Sequence, residues 1–470
     1  MHQIEGINYG LQNKKFVLGD EQGLGKTMQT ISIACIRKKL DDYSHCLIIC
    51  GVNGLKWNWK AEIEKHSNET AYILGTRYDR KGNVKIGTVK DRLDDLKALG
   101  VDLDHEINNH YFLITNIETL RNDDIIEELR DLCDKEYINM LALDEGHKCK
   151  DPTSIQGKAL LKLNADSMIS LTGTPLMNNP LELYIHLKWL GYEKHSYYSF
   201  KKHYCVYGGY GGYQIVGYKN LEQLQAQFED IMLRRLKKDV LDLPEKLYTT
   251  DYVEMGTQQT RIYKEVFSDL QKNIDKVEMS NNPLAEMIRL RQATGYTGIL
   301  SSSVHESAKL DRLEELIEEV VRENKKAIVF SNWTSITNVA YERLQQYNPA
   351  MITGETKDRV AEQDRFMNDP ECKVIIGTIG AMGTGLTLTA ANTIIFLDEP
   401  WNRAQKEQAE DRAHRIGTNE NVNIITLVCK DTIDEKVHKL VYQKGAMSDM
   451  LIDNQVPSEN RKELVRYLLS

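Results

Sequence analysis

Lys15-Phe16-Val17-Leu18-Gly19, followed by Asp20-Glu21-Gln22-Gly23-Leu24-Gly25-Lys26-Thr27, is the stretch whose reading decides the fold. The apolar run reads as a strand, and Met28, Thr30, Ile31 and Ile33 continue as a helix. The backbone N–H groups of the turn and the helix N-terminus then converge on one anionic site. Gly23 and Gly25, on either side of Leu24, let the backbone come close to phosphate oxygens. Lys26 supplies a cation for β- and γ-phosphates, and the Thr27 hydroxyl is placed to ligate Mg²⁺. A general phosphate loop opens with Gly where this one has Asp20, so the stretch implies a nucleotide site of a variant kind. The bland alternative is a glycine-rich turn that binds nothing.

The surrounding sequence favours the nucleotide site. Apolar runs of strand length recur at 16–19, 46–50, 111–115, 140–143 and 168–171, separated by helical or polar stretches. Short buried strands alternating with helices predict a parallel sheet covered on both faces, with ligands beyond the carboxyl ends of its strands. The fourth run ends in Asp144-Glu145-Gly146-His147. Beside a phosphate loop, Asp144 suits a metal held through water and Glu145 suits activation of the attacking water. Alone, the pair would read as a solvated acidic turn. The fifth run ends in Thr172-Gly173-Thr174-Pro175, a tight polar turn able to hydrogen-bond a neighbouring loop.

At 470 residues the chain is too long for one ordinary core and predicts two large domains with insertions. Its 41% hydrophobic and 27% charged residues are those of a soluble globular protein. No apolar run is long enough to span a bilayer, and the first residues lack the sections of a signal peptide, so a cytosol-like compartment is expected. The eight cysteines are scattered without metal-knuckle spacing, predicting reduced thiols and no zinc. A net charge of −9 excludes a protein basic all over but not a basic cleft for nucleic acid.

From 190 to 303 the alternation stops. This stretch has an exposed-turn signal at 208–213, the basic run Arg234-Arg235-Leu236-Lys237-Lys238, and helical spacing over 258–292. Strand-like runs resume at 327–331, 351–353, 374–378, 393–398 and 423–428, predicting a second parallel sheet without a phosphate loop. Near its end Gln408, Arg412 and Arg415 stand four and then three apart, which predicts one helical face. Guanidinium groups there suit the arginine-finger role in phosphoryl transfer; the alternative is an exposed, salt-bridged helix.

Taken in order, Gln3 with Gly6, the phosphate loop, Asn58-Trp59, 114–120, Asp144-Glu145-Gly146-His147, 171–184, Arg234-Arg235 before Leu243-Pro244, 383–388, 397–402 and 408–417 resemble one family. It is the Swi/Snf-type double-stranded DNA translocases of helicase superfamily two, particularly compact viral or bacterial members. The resemblance implies an α/β fold of two RecA-like parallel-sheet lobes with helical insertions. The expected boundaries are 1–190 for the first lobe, 191–305 for protrusions and linker, 306–440 for the second lobe and 441–470 for a helical extension. It implies an ATPase stimulated by duplex DNA that moves along it without separating the strands, possible displacement of a DNA-bound protein, and ATP with Mg²⁺ as cofactors.

The resemblance assigns catalysis to Lys26, Asp144, Glu145, Arg412 and Arg415, and the metal to Thr27 and Asp144. Nucleotide contacts fall to Gln3, Gly23, Leu24, Gly25, Lys26, Thr27 and Gln408. Thr115, Thr172, Thr174, Trp333, Thr378 and Trp401 fall to nucleic acid or coupling, with either Trp equally able to be a packing residue. Arg234 and Arg235 are expected to couple the lobes. Three departures stand out: Cys50-Gly51 where Cys-Pro is usual, Thr418 where Gln is usual, and only two residues before Gln3, which implies looser base selectivity. The compact form fits a bacterial or virus-infected cytoplasm better than a nucleus. Two other readings stay open: a strand-separating DNA or RNA helicase, and a nucleotide-gated binder without turnover.

Overall fold

A computed structural model describes every residue except 52–54, 80, 83, 150, 174–179, 209, 213, 242, 275–282, 383–385, 402, 416, 419, 444–465 and 470. The chain divides into two compact units, Met1–Leu241 and Asp242–Ser470. The stretch 191–305 does not stand apart, because its first part belongs to the first unit and the rest to the second.

In the first unit the strands are β1 (Lys15–Leu18), β2 (Cys46–Cys50), β3 (Ala71–Ile73), β4 (Thr76–Tyr78), β5 (Val84–Ile86), β6 (Phe112–Asn116), β7 (Met140–Asp144) and β8 (Ser167–Leu171). They continue with β9 (Cys205–Gly208), β10 (Gln214–Tyr218) and β11 (Met232–Leu233). Seven of them form one sheet in the order β11-β1-β8-β7-β2-β6-β3, and every pairing is parallel. The apolar runs account for this: β2, β6 and β8 are buried along their whole length, as strands covered on both faces must be. Alternate strand residues feed two cores. Val17, Leu47, Ile49 and Leu141 point to one face, and Phe16, Leu18, Ile48 and Ala142 to the other. β4–β5 and β9–β10 are antiparallel hairpins outside the sheet.

The second unit holds β12 (Lys246–Val253), β13 (Ala327–Ser331), β14 (Ala350–Ile352), β15 (Val374–Thr378), β16 (Thr393–Phe396) and β17 (Val422–Cys429). They form a second wholly parallel sheet in the order β12-β17-β16-β13-β15-β14. The helices Thr257–Lys272 and Pro283–Gly295 pack with Ile433–Gln443, and Leu468 and Leu469 from residues 466–469 close that helical cluster. The expected α/β fold with two parallel sheets is therefore present. β3, β11 and β12 are additions that the apolar runs did not announce. Among the described residues, no helix is long and apolar enough to cross a membrane. All eight cysteines are free, and seven are buried.

Candidate nucleotide site

Three neighbouring strands, β1, β8 and β7, bring the site of the first unit together at their carboxyl ends. After β1 the chain enters the phosphate loop, and the helix Lys26–Leu40 starts from Gly25 in a left-handed conformation (φ 81°). A side chain at Gly25 would strike Gln3, since a Cβ there would lie 2.3 Å from Gln3 Nε2. Gln3, expected on the nucleotide, thus stands directly against the loop. The Lys26 ammonium donates to the Asp20 carbonyl at 2.7 Å, within the loop it is expected to serve. Leu24 is buried, and its carbonyl accepts from the Gln29 amide at 3.2 Å and meets His2 Nε2 at 3.2 Å.

β7 ends in Asp144. The Trp59 indole N–H donates to Asp144 Oδ2 at 2.9 Å, from a side chain only 2% exposed. Burial raises the Asp144 carboxyl above the usual carboxylate range and the Glu145 charge adds to it, while the Trp59 N–H and Lys26 act in the opposite direction. Glu145 has φ 55°, a left-handed backbone uncommon for a residue with a side chain. Gly51 lies against it: a Cβ at Gly51 would be 2.6 Å from the Glu145 Cβ. The Gly51 that departs from the usual Pro therefore fits the close approach of Glu145. β8 continues into Thr172 and Gly173. A Cβ on Gly173 would lie 2.6 Å from Gln22 Cγ, so this turn touches the phosphate loop.

Asp20 explains the variant opening of the loop. Its carboxylate is fully buried and accepts from the Arg235 backbone N–H at 3.1 Å, Arg235 Nε at 3.0 Å, Arg235 Nη2, and Gln29 Nε2 at 3.1 Å. Arg235, expected to couple lobes, is committed here within the first unit. Arg234 is exposed and reaches the Gly19 carbonyl at 3.4 Å.

In the second unit the helix that carries Gln408 ends at Glu410, so Arg412 and Arg415 do not share its face as their spacing predicted. The hydrogen bonds tighten there: Arg412 N–H donates to Ala409 O and Ala413 N–H to Glu410 O, and the Thr418 hydroxyl accepts from the Arg415 N–H at 3.1 Å. Thr418, the second departure, closes this turn. Arg412 Nη1 donates to Leu386 O at 3.3 Å and Arg415 Nη1 to Thr387 Oγ1 at 2.8 Å, which ties the arginine stretch to 386–388. Lys246 Nζ reaches both Glu410 and Asp411 at 3.0 Å, and His414 Nε2 meets the Pro244 carbonyl at 2.7 Å.

The expected nucleic-acid contacts are less uniform. Thr378 is half-exposed at the end of β15. Thr115 is buried near the end of β6, with a hydroxyl that finds no hydrogen-bond partner among the described residues. Thr172 is buried, and Thr174 lies outside the described residues. Trp333 and Trp401 both lie against the buried Arg291 guanidinium, at 5.2 and 4.7 Å from their ring centres. That is the packing role the sequence left open for them. Among the described residues no cluster of three or more His, Cys, Asp or Glu could hold a metal. Mg²⁺ takes few protein ligands and shares its shell with water and phosphate. Thr27, in the first helical turn, and Asp144 fit that part. His2, Gln29 and Trp59 are site residues that sequence reasoning did not place; the Asn58-Trp59 pair was the available signal for the last.

A family model described as the SNF2-related domain matches residues 2–298, and one described as the helicase conserved C-terminal domain matches 308–417. The chain belongs to the SNF2-related family. Use of ATP comes with that family, and relatives of the chain carry names to match. The ISWI chromatin-remodeling complex ATPase ISW1 of Saccharomyces cerevisiae is 28% identical over 98% of this chain and 41% of its own length. An uncharacterized ATP-dependent helicase of Mycoplasma pneumoniae is 27% identical over 99% of this chain and 43% of its own. The putative ATP-dependent helicase/translocase YwqA of Bacillus subtilis is 25% identical over 93% and 46%. This SNF2-related chain thus spans less than half the length of each of these relatives. A solved structure, the Sulfolobus solfataricus SWI2/SNF2 ATPase core in complex with dsDNA, is 25% identical, with 99% and 96% of the two chains covered and a TM-score of 0.43.

Proposed function

We propose that this chain hydrolyses ATP in response to duplex DNA and moves along the duplex without separating its strands. The observation that carries the reading is the meeting of the phosphate loop, Gln3, the Thr172-Gly173 turn and Asp144-Glu145 at the ends of three adjacent parallel strands. In this reading Gln3 binds on the adenine side, the loop amides and Lys26 hold the phosphates, and Thr27 with Asp144 would hold Mg²⁺. When bound there, the metal would supply charge neutralisation to the phosphates. Glu145 orients the attacking water and takes its proton, and Trp59 fixes Asp144 in one rotamer. Arg412 and Arg415 serve as arginine fingers. Contacts to DNA run through phosphates, so binding is independent of sequence and weakens steeply with salt.

Membership of the SNF2-related family supports the ATPase part, and the name of the Bacillus relative, a putative ATP-dependent helicase/translocase, supports translocation. The test is ATP turnover by the purified protein alone and with duplex DNA, single-stranded DNA or RNA, with Lys26→Ala as the blank. Stimulation chiefly by duplex DNA, lost in the variant, is the expected result. Stronger stimulation by single strands or RNA, together with strand displacement, would replace it with a strand-separating helicase. Absence of turnover under every condition would leave a nucleotide-gated binder.

A further inference from the structure

Arg235 stands 215 residues from Asp20 in sequence, yet its guanidinium touches three separate pieces that hold the candidate nucleotide. It binds both carboxylate oxygens of Asp20 at the head of the phosphate loop. Its Nη2 donates at 2.9 Å to Gln29 Oε1, on the helix that leaves the loop. Its Nη1 donates to the His2 carbonyl, on the helix His2–Gln12 that carries Gln3. The backbone repeats the attachment: Glu21 N–H donates to Arg235 O at 3.0 Å, and Lys237 N–H donates to Glu21 Oε2 at 2.7 Å. Residues 19–21 thereby extend the β1–β11 ladder beyond the sheet, with Gly19 N–H on Leu233 O at 2.8 Å.

The same residue that Arg235 grips also aims the loop's cation, because the Asp20 carbonyl accepts from Lys26 Nζ. Asp20 is 0% exposed, and a carboxylate without water needs a paired cation and filled lone pairs. Arg235 supplies most of both, in the two-pronged geometry only a guanidinium offers.

We infer that Arg235 is the positioning residue of the phosphate loop: through Asp20 it fixes the loop and Lys26 in the phosphate-receiving shape and joins them to Gln3. This rests on the nucleotide-binding part of the proposed function. Arg235 acts through Asp20 and touches no reacting atom.

The test is the affinity of full-length protein for a fluorescent ADP analogue, measured where circular dichroism shows each variant folded. Arg235→Gln should weaken binding at least tenfold. Asp20→Asn in the same chain should recover much of that loss, because the stranded carboxylate is then gone. Arg235→Lys, which keeps the charge without the fork, should fall between Arg235→Gln and wild type and covers the case in which Arg235→Gln does not fold. Lys238→Gln, at an exposed neighbour, should bind like wild type. A merely structural role would lower the melting temperature and leave the affinity of the folded protein unchanged. Wild-type affinity in folded Arg235→Gln or Arg235→Lys, or no recovery on adding Asp20→Asn, would overturn the inference alone. No binding by wild-type protein would overturn the functional reading and this inference with it.

Discussion

Each of the two parallel sheets has a strand that runs into an Asp-Glu pair, and the two pairs meet opposite fates. β7 leads into Asp144-Glu145, and β16 leads through Leu397 into Asp398-Glu399. Asp144 and Glu145 are half-buried, and Asp144 has the Trp59 N–H on one oxygen. Asp398 is 1% exposed and accepts from the Ser331 hydroxyl at 2.5 Å, the Asn332 N–H at 2.9 Å and the Asn332 amide. Glu399 is held by Lys406 at 2.7 Å and His438 at 2.8 Å. Burial alone would raise the Glu399 carboxyl, yet His438 and Lys406 outweigh it and hold the group below its usual range. The same two letters after the same kind of strand end half-buried beside the phosphate loop in one unit and in a buried, ion-paired network in the other. What separates them is the depth at which each pair sits, not the carboxylates themselves.

Exchanging the roles experimentally would break that contrast, and the largest effect belongs to the first unit. Glu145→Gln should reduce nucleic-acid-stimulated ATP turnover by about 10²- to 10⁴-fold, the range for loss of a general base. Its melting curve should stay close to wild type. A small change in turnover would place the base elsewhere.

Lys406→Met should do the reverse. It leaves Glu399 with His438 as its remaining ion-pair partner in a buried site, at a cost of up to about 3–5 kcal/mol read as a lowered urea midpoint of the second unit. The pH dependence follows from the sign: a carboxyl depressed in the folded protein stabilises above its unfolded value of about 4.3. That contribution disappears as pH falls through the folded value. The gap between wild type and Lys406→Met should therefore be wide at pH 7 and narrow on acidification; a gap independent of pH would remove Glu399 from the network's energetics.

Trp59→Phe keeps the ring and deletes one N–H, which sharpens the difference between a positioned and a saturated aspartate. Turnover should fall about tenfold, as expected for one hydrogen bond to a charged group, and more Mg²⁺ should be needed for half-maximal rate. Unchanged Mg²⁺ dependence would make Trp59 a packing residue only. The smallest effect is at Trp401→Phe, where weakening one of the two ring contacts on Arg291 should cost about 0.5–1 kcal/mol of stability. A large, salt-dependent loss of DNA affinity in that variant would instead return Trp401 to the nucleic-acid surface.

Particular residues show why some of this was legible in the sequence. The runs at 46–50 and 168–171 are apolar throughout because those strands are buried on both faces, and such runs announce themselves. β11 has two residues and β3 three, too few for any periodicity to register. β12 lies at a sheet edge with Leu247, Tyr248 and Tyr252 exposed, so its mixed sequence looked like linker. At the site, the glycines, Lys26 and the Asp-Glu pair are local signals. Asp20–Arg235 and Asp144–Trp59 are pairings across 215 and 85 positions, which no local pattern encodes. The arginine stretch misled because four-and-three spacing says nothing about where the backbone leaves the helix, and it leaves after Glu410.

β11 also sets a timetable. β1 is made before its outer neighbour in the sheet, which comes only at Met232–Leu233, just before the residue that clamps Asp20. At ordinary elongation rates the interval of 215 residues lasts roughly 10–40 s. Through that interval the nascent chain carries its phosphate-binding sequence without the strand and the guanidinium that shape it. Birth of a working nucleotide pocket is thereby postponed until the whole first unit has been synthesised.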